Sequence, residues 1–297
     1  MTAPAHFRPH GVTVAGAAAA LFAHTAGDGP PIVLLHGFPE IGRYWFPVMA
    51  RLAAGFRVIA PDLRGYGASG RPSDPDDYGI DALCADVAAV LDGLGLERAH
   101  IVGHDWGGVL AWWFAAASPA RVRSLTAINA PHPVAFQRRL NSDPDQRRRS
   151  AYISLLQEPG AAARLQSLGA DALWSRFRAA GDGFDEADRV SYLQAWSMAD
   201  AWAGPVAWYR AAPFAIGAPL PAWAADDLPI EPPTLILWGA RDETFTGDLV
   251  AESALFCASA RTQLFADCRH NPPRERPDAC AEAIAQFVSS IENGGSS

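Results

Sequence analysis

The sequence is poor in cysteine: Cys84, Cys257, Cys268 and Cys280 are the only four in 297 residues, with no CxxC spacing. That scatter excludes a disulfide scaffold, offers no zinc-ligand pattern, and suits a reducing compartment. Positive charge is also short, with 24 Lys plus Arg against 32 Asp plus Glu and a net charge of −8. No basic face or stripe stands out, which argues against a nucleic-acid partner. The one basic cluster, Arg147 to Arg149 after Arg138 and Arg139, is offset by Asp143 and Asp145 and reads as a solvated helix start. Long apolar runs are missing: no stretch approaches the roughly 20 residues of a membrane helix. The opening MTAPAHFRPH lacks the basic region and apolar core of a signal peptide, and AGAAAALFAH is broken at His24. The expectation is a cytoplasmic enzyme with no membrane contact, metal or cofactor; a homodimer is admitted, with no residue that decides it.

What is present points to a layered α/β protein. Hydrophobic residues make up 49% and charged residues 19%, ordinary for a globular chain. Strand-like runs open the chain around Val12 to Val14 and Ala19 to Ala23. Buried strands PPIVLLHG and RVIAPD follow, then a helix from Leu83 to Leu94, the strand AHIVGHD, a helix from Gly107 to Ser118 and the strand SLTAINA. Such alternation of apolar strands and helices predicts a mostly parallel sheet with helices on both faces. From about Pro133 to Pro213 the periodicity is helical, with many tryptophans and no convincing strand. Alternation resumes at TLILWGARD and TQLFADCRH and closes with a helix from Asp278 to Ile291, before a frayed NGGSS tail. The expected organisation is a core in two parts, 1–132 and 214–297, with a helical insert at 133–213. No internal repeat is visible.

One constellation carries chemistry. Gly103-His104-Asp105-Trp106-Gly107-Gly108 lies between a strand and a helix, with the form G-x-nucleophile-x-G. Glycines there allow a tight turn that projects the middle side chain, Asp105, at the carboxyl edge of the sheet. The plain alternative is an aspartate that caps the helix. His36-Gly37-Phe38-Pro39 ends another strand, where the loop supplies an oxyanion-stabilising N–H, here Phe38, beside that of Trp106. Its plain alternative is a tight turn with Pro39 cis. Downstream, Asp242 and His270 end the last two predicted strands. Nucleophile, acid and histidine thus follow one another in the order of this fold's triads. Of the other histidines, His36 beside the oxyanion turn and His104 beside the nucleophile are placed around the substrate pocket as supporting residues. Asn129, after the strand SLTAINA, carries no charge and leaves Asp242 as the acid.

A carboxylate nucleophile attacks an sp³ carbon and leaves an alkyl ester on the enzyme. Water activated by His270, paired to Asp242, then attacks the ester carbonyl, and the oxyanion donors stabilise that step. The leaving group must be a halide or a strained ether oxygen.

At this point HGFPE, DLRGYGASGRP, GHDWGG and NAPHP together resemble the α/β-hydrolase-fold epoxide hydrolases over nearly the whole chain. The resemblance implies that the insert is a cap over the active site. It also implies that Tyr152, in a stretch ending Gln157-Glu158-Pro159-Gly160, and Tyr209, in Trp208-Tyr209-Arg210, hydrogen-bond the oxygen of a small apolar epoxide. An alkoxide leaves poorly without such help. Tyr192 has no motif around it and reads as structural, as do Trp112, Trp113, Trp174, Trp196 and Trp202. The sequence departs from the family at Arg269-His270-Asn271-Pro272-Pro273, which puts the pocket floor in question, and at Glu40-Ile41-Gly42-Arg43-Tyr44, where Arg43 is expected to face solvent.

Two rivals use the same fold. Fluoroacetate dehalogenases share HGFP and DLRGYG but carry D-R-x-x-R at the elbow, where this chain has Asp105-Trp106-Gly107-Gly108-Val109. Haloalkane dehalogenases share D-W-G but add an asparagine after the HG turn or a second cap tryptophan, and Phe38 fills the first of these positions here. A non-catalytic small-molecule receptor of this fold commonly lacks a triad member; none is missing here.

Overall fold

The computed structural model describes residues 7–16, 18–178, 183–216 and 229–294. Eight strands form one sheet: β1 His10–Ala15, β2 Ala20–Ala26, β3 Pro31–Leu35, β4 Arg57–Pro61, β5 Ala99–His104, β6 Val122–Ile128, β7 Thr234–Gly239 and β8 Ala260–Phe265. Their spatial order is β1-β2-β4-β3-β5-β6-β7-β8; β2 pairs antiparallel with both β1 and β4, and all the other pairings are parallel. The parallel centre follows from composition. β3, β5 and β7 are buried at every residue, as strands covered on both faces must be. Side chains alternate between the two layers. Val33, Leu35, Ile101 and Ile236 pack with Leu83, Val87 and Leu110, from the helices Ile80–Gly93 and Trp106–Ala117. Ile32, Leu34, Val102 and Leu237 face Val48, Met49, Ile284 and Phe287, from Phe46–Leu52 and Pro277–Gly294.

Between β6 and β7 the described residues hold seven helices and no strand. The insert sits on the core through close backbone contact: a Cβ on Gly204 would lie 2.4 Å from Gly65 Cα, in the DLRGYG turn where Gly65 has φ +86°. Trp208 Nε1 donates to the Arg64 carbonyl in the same turn at 2.9 Å. Arg64 is itself buried and bidentate on Asp86, both bonds 2.6 Å.

Several expectations are corrected. The helix Phe46–Leu52 is absent from the sequence reading, because Phe46, Pro47, Val48, Met49 and Leu52 are all buried and no polar face marks a helical period. β7 stops at Gly239 and β8 at Phe265, so Asp242 and His270 stand on the loops beyond them. Arg43 does not face open solvent: its Nε donates to Asp188 of the insert at 2.8 Å. Arg149 is not simply solvated, since it pairs with Asp145 at 2.8 Å and also donates to the Asp242 carbonyl at 2.8 Å. The last residues of the NGGSS tail, 295–297, lie outside the described residues. No helix among the described residues is long and apolar enough to cross a membrane, and all four cysteines are free.

Candidate active site

Asp105 sits directly after β5 with φ 52° and ψ −123°, a conformation that L residues avoid at a cost of order 1–3 kcal/mol. Close packing holds it there. A Cβ on Gly107 would approach the Leu35 carbonyl oxygen to 2.1 Å, so the helix starting at Trp106 lies directly against the neighbouring strand end. The carboxylate is 7% exposed, and its Oδ1 accepts the Phe38 N–H at 2.8 Å. Trp106 opens the helix, and its N–H is among the four that have no partner inside it.

His270 bridges two carboxylates. Its Nδ1 donates to Asp242 Oδ2 at 3.0 Å, and its Nε2 lies 3.5 Å from Asp105 Oδ2. Asp242 accepts further bonds from the backbone N–H groups of Thr244 at 2.7 Å and Phe245 at 3.3 Å, and from Asn129 Nδ2 at 2.6 Å. Asn129 has φ 42°, and its Oδ1 accepts from Gly239 N at 2.9 Å, so it ties the ends of β6 and β7 together under the acid. Burial raises both aspartates, but His270, acting on each by charge and hydrogen bond, outweighs it and leaves them below the usual carboxylate range. Burial lowers His270; the charge and hydrogen bonds of Asp242 and Asp105 override that and raise it to about 10.

A cavity of about 710 Å³ joins Asp105 and His270 to Phe38, Tyr152, Tyr209 and Thr244. Tyr209 is buried, and its ring meets those of Phe38 at 5.1 Å and Trp106 at 5.2 Å. Tyr152 lies 6.0 Å from it, centroid to centroid. Burial, and then nearby negative charge, pushes both hydroxyls well above the ordinary phenol value, so both stay protonated. Gln157 of the first tyrosine motif donates to the Tyr209 carbonyl at 3.0 Å, which joins the two tyrosine-bearing helices, Ala151–Gln157 and Ala203–Ala211.

His36 and His104 do not line this cavity, which corrects their placement around the pocket. His36 is buried between the Gly37 carbonyl, to which Nδ1 donates at 2.9 Å, and the Leu63 N–H, accepted by Nε2 at 3.0 Å. His104 shares the face of β5 that carries Val102, so strand alternation turns it below the site. There it stacks on Tyr44 at 5.0 Å and donates from Nε2 to the His270 carbonyl at 2.8 Å. Burial pushes each to about 4, so both are neutral and act on the geometry alone. Trp106 turns its ring to a second, small cavity with Val109 and Phe136. Asn271 does not floor the pocket either: its Oδ1 accepts from Tyr44 Oη at 3.2 Å, and its N–H and that of Arg269 are held by Glu275 at 3.0 and 2.8 Å. Tyr192 is structural, donating to the buried Glu40. The phenylalanine–proline bond Phe38–Pro39 is cis. Among the described residues no group of three or more His, Cys, Asp or Glu is arranged to hold a metal.

The profile of the alpha/beta hydrolase fold family matches residues 30–277. The AB hydrolase superfamily protein YfhM of Bacillus subtilis is 32% identical over 88% of this chain and 91% of its own length. Epoxide hydrolase 3 of Xenopus tropicalis is 33% identical over 89% of this chain and 73% of its own. Among solved structures, a metagenomic epoxide hydrolase from a hot environment superposes with a TM-score of 0.85 at 31% identity, covering 95% of this chain and 99% of that one. The chain belongs to the α/β-hydrolase-fold family, in the branch whose members carry the name epoxide hydrolase.

Proposed function

We propose that the protein hydrolyses epoxides to vicinal diols through an ester on Asp105, with the helices between 133 and 213 acting as a cap over the site. One observation carries the reading: a single cavity brings together a carboxylate held by a backbone N–H, an imidazole paired to a second carboxylate, and two protonated tyrosines. An ester-cleaving serine site has no need of two phenols facing its nucleophile; an epoxide needs a proton donor for its oxygen.

Asp105 Oδ2 attacks an epoxide carbon while Oδ1 stays on the Phe38 N–H. The ring C–O bond breaks, and the oxygen takes a hydrogen bond and then a proton from Tyr152 or Tyr209. Ester formation removes the negative charge of Asp105, one of the two that raise His270, so the imidazole gives up its proton, which replaces the one the tyrosine has lost, and becomes a base. His270 Nε2 then takes a proton from water as the water oxygen attacks the ester carbonyl carbon. Asp242 stabilises the imidazolium. Negative charge gathers on Oδ1, where the N–H groups of Phe38 and Trp106 stabilise it. Collapse breaks the ester C–O bond and expels the diol, whose departing oxygen takes the water's proton back from His270; the acid left on Asp105 gives its remaining proton to His270, which restores the carboxylate and the imidazolium.

The test is turnover of styrene oxide beside a haloalkane panel, with diol the expected product; released halide or no product counts against the reading. In His270→Gln the second step should stall, and intact-mass spectrometry should show protein plus one epoxide. Near wild-type turnover by Asp105→Ala would sink the scheme.

A further inference from the structure

The two tyrosines and Asp105 stand between two cavities of very different size. The larger, about 710 Å³, runs past Leu156 and Leu165 to a mouth where Leu155 is 59% and Leu168 52% exposed. The smaller, about 20 Å³, also touches Asp105, Tyr152 and Tyr209 but ends against Trp106, Val109, Phe136, Ile153, Phe214 and Phe245, every one of them buried. Its back wall is an aromatic box. Phe136 meets Phe214 edge-on at 5.2 Å and Phe245 at 5.3 Å, so none of the three rings moves without displacing another. A space of that volume holds about one water molecule.

An epoxide whose oxygen is held by both tyrosines and whose carbon faces Asp105 directs the substituents of its two carbons in opposite directions along the ring C–C bond. We infer that the substrate is an epoxide with one unhindered ring carbon: one bulky apolar arm lies in the large cavity, and the other carbon bears only hydrogen, or at most a methyl group. The inference rests on the epoxide reading above and narrows it. The diol formed therefore has a primary hydroxyl, or a methyl-bearing secondary one. Phe136 and Ile153 set this limit, since they close the small side without touching the large cavity.

The experiment compares kcat/KM for styrene oxide, trans-1-phenylpropylene oxide and trans-stilbene oxide in the unmodified protein. Trans-stilbene oxide is benzylic at both carbons, so its intrinsic reactivity does not disfavour it. Even one misplaced methylene costs about 10–200-fold in a tight pocket, so the second phenyl should cost about 100-fold or more, with the methyl compound in between. Phe136→Ala and Ile153→Ala, two independent openings of the small side, should each raise the stilbene-to-styrene ratio by at least about tenfold. Trans-stilbene oxide turned over within tenfold of styrene oxide, or a ratio that does not move in a folded variant, overturns the inference and leaves the epoxide reading intact. Failure to open any epoxide overturns both.

Discussion

Asp242 accepts four hydrogen bonds, and only two come from side chains, those of His270 and Asn129. The Asn129 bond, at 2.6 Å, is short and charge-assisted, a kind that contributes about 1.5–3 kcal/mol. Its removal lets the carboxylate turn from the imidazole and raises its proton affinity. Asn129→Ala should therefore slow ester hydrolysis by about 10–100-fold, while rapid-mixing assays find ester formation close to unchanged. Equal losses in both steps would mean that Asn129 only supports the fold. At this scale the sequence made Asp105, Asp242 and His270 legible, because elbow glycines and strand ends bracket them. Asn129 was legible only as an uncharged residue after a strand. Its role depends on a positive φ and on β7 lying alongside, neither of which is written in NAPHP itself.

One short helix of the insert holds the acid loop. Pro144–Arg149 grips the loop after β7: Gln146, fully buried, donates to the Thr244 carbonyl at 3.0 Å and accepts from Thr246 N at 2.9 Å, while Arg149 binds the Asp242 carbonyl. In the sequence this stretch reads as a charged surface, since three consecutive arginines look alike until one is seen to reach inward. Gln146→Leu should leave the Thr244 carbonyl and the Thr246 N–H without partners, loosening the acid loop. We expect ester hydrolysis to slow more than ester formation, with kcat falling about tenfold and KM little changed, because neither Gln146 nor Arg149 lines the cavity. A rise in KM alone would instead assign the helix to substrate binding. Strands were the most legible elements where both faces are buried, as in β3 and β5. β8 ends before the run TQLFADCRH does, and because it is exposed at all but its last residue no apolar pattern marks where it ends.

Over the whole molecule, the insert and the core are joined by buried charges: Glu40 with Arg178, and Asp188 with both Arg43 and Arg274. A second set of buried groups makes stability depend on pH. Burial pushes His24, His36, His100 and His104 to about 4 from 6.5, so they are neutral when folded, yet each takes up a proton on unfolding anywhere between those values. Asp62, raised by burial to about 6, works the other way, since the folded form holds one proton that the unfolded chain lacks. The histidines outnumber it. The unfolded state therefore binds more protons across this range, and stability falls as pH drops from 6.5 towards 4, by roughly 1.4 kcal/mol per pH unit for each net proton. His270 has the opposite sign. Its folded value near 10 lies above 6.5, so its contribution is complete below pH 6.5 and is lost as pH rises through 10. The melting temperature should peak near neutrality, with a steep acid limb carried by several groups and, up to about pH 8, below the range where the thiols of Cys84, Cys257, Cys268 and Cys280 would ionise on unfolding, a shallow alkaline limb carried by His270. His270→Gln should flatten the alkaline limb and leave the acid limb in place. Thermal melts from about pH 4.5 to 8, below the range where the cysteine thiols ionise on unfolding, decide it on both proteins: an unchanged alkaline limb in the variant would mean that the carboxylates around His270 do not hold its proton in the folded enzyme.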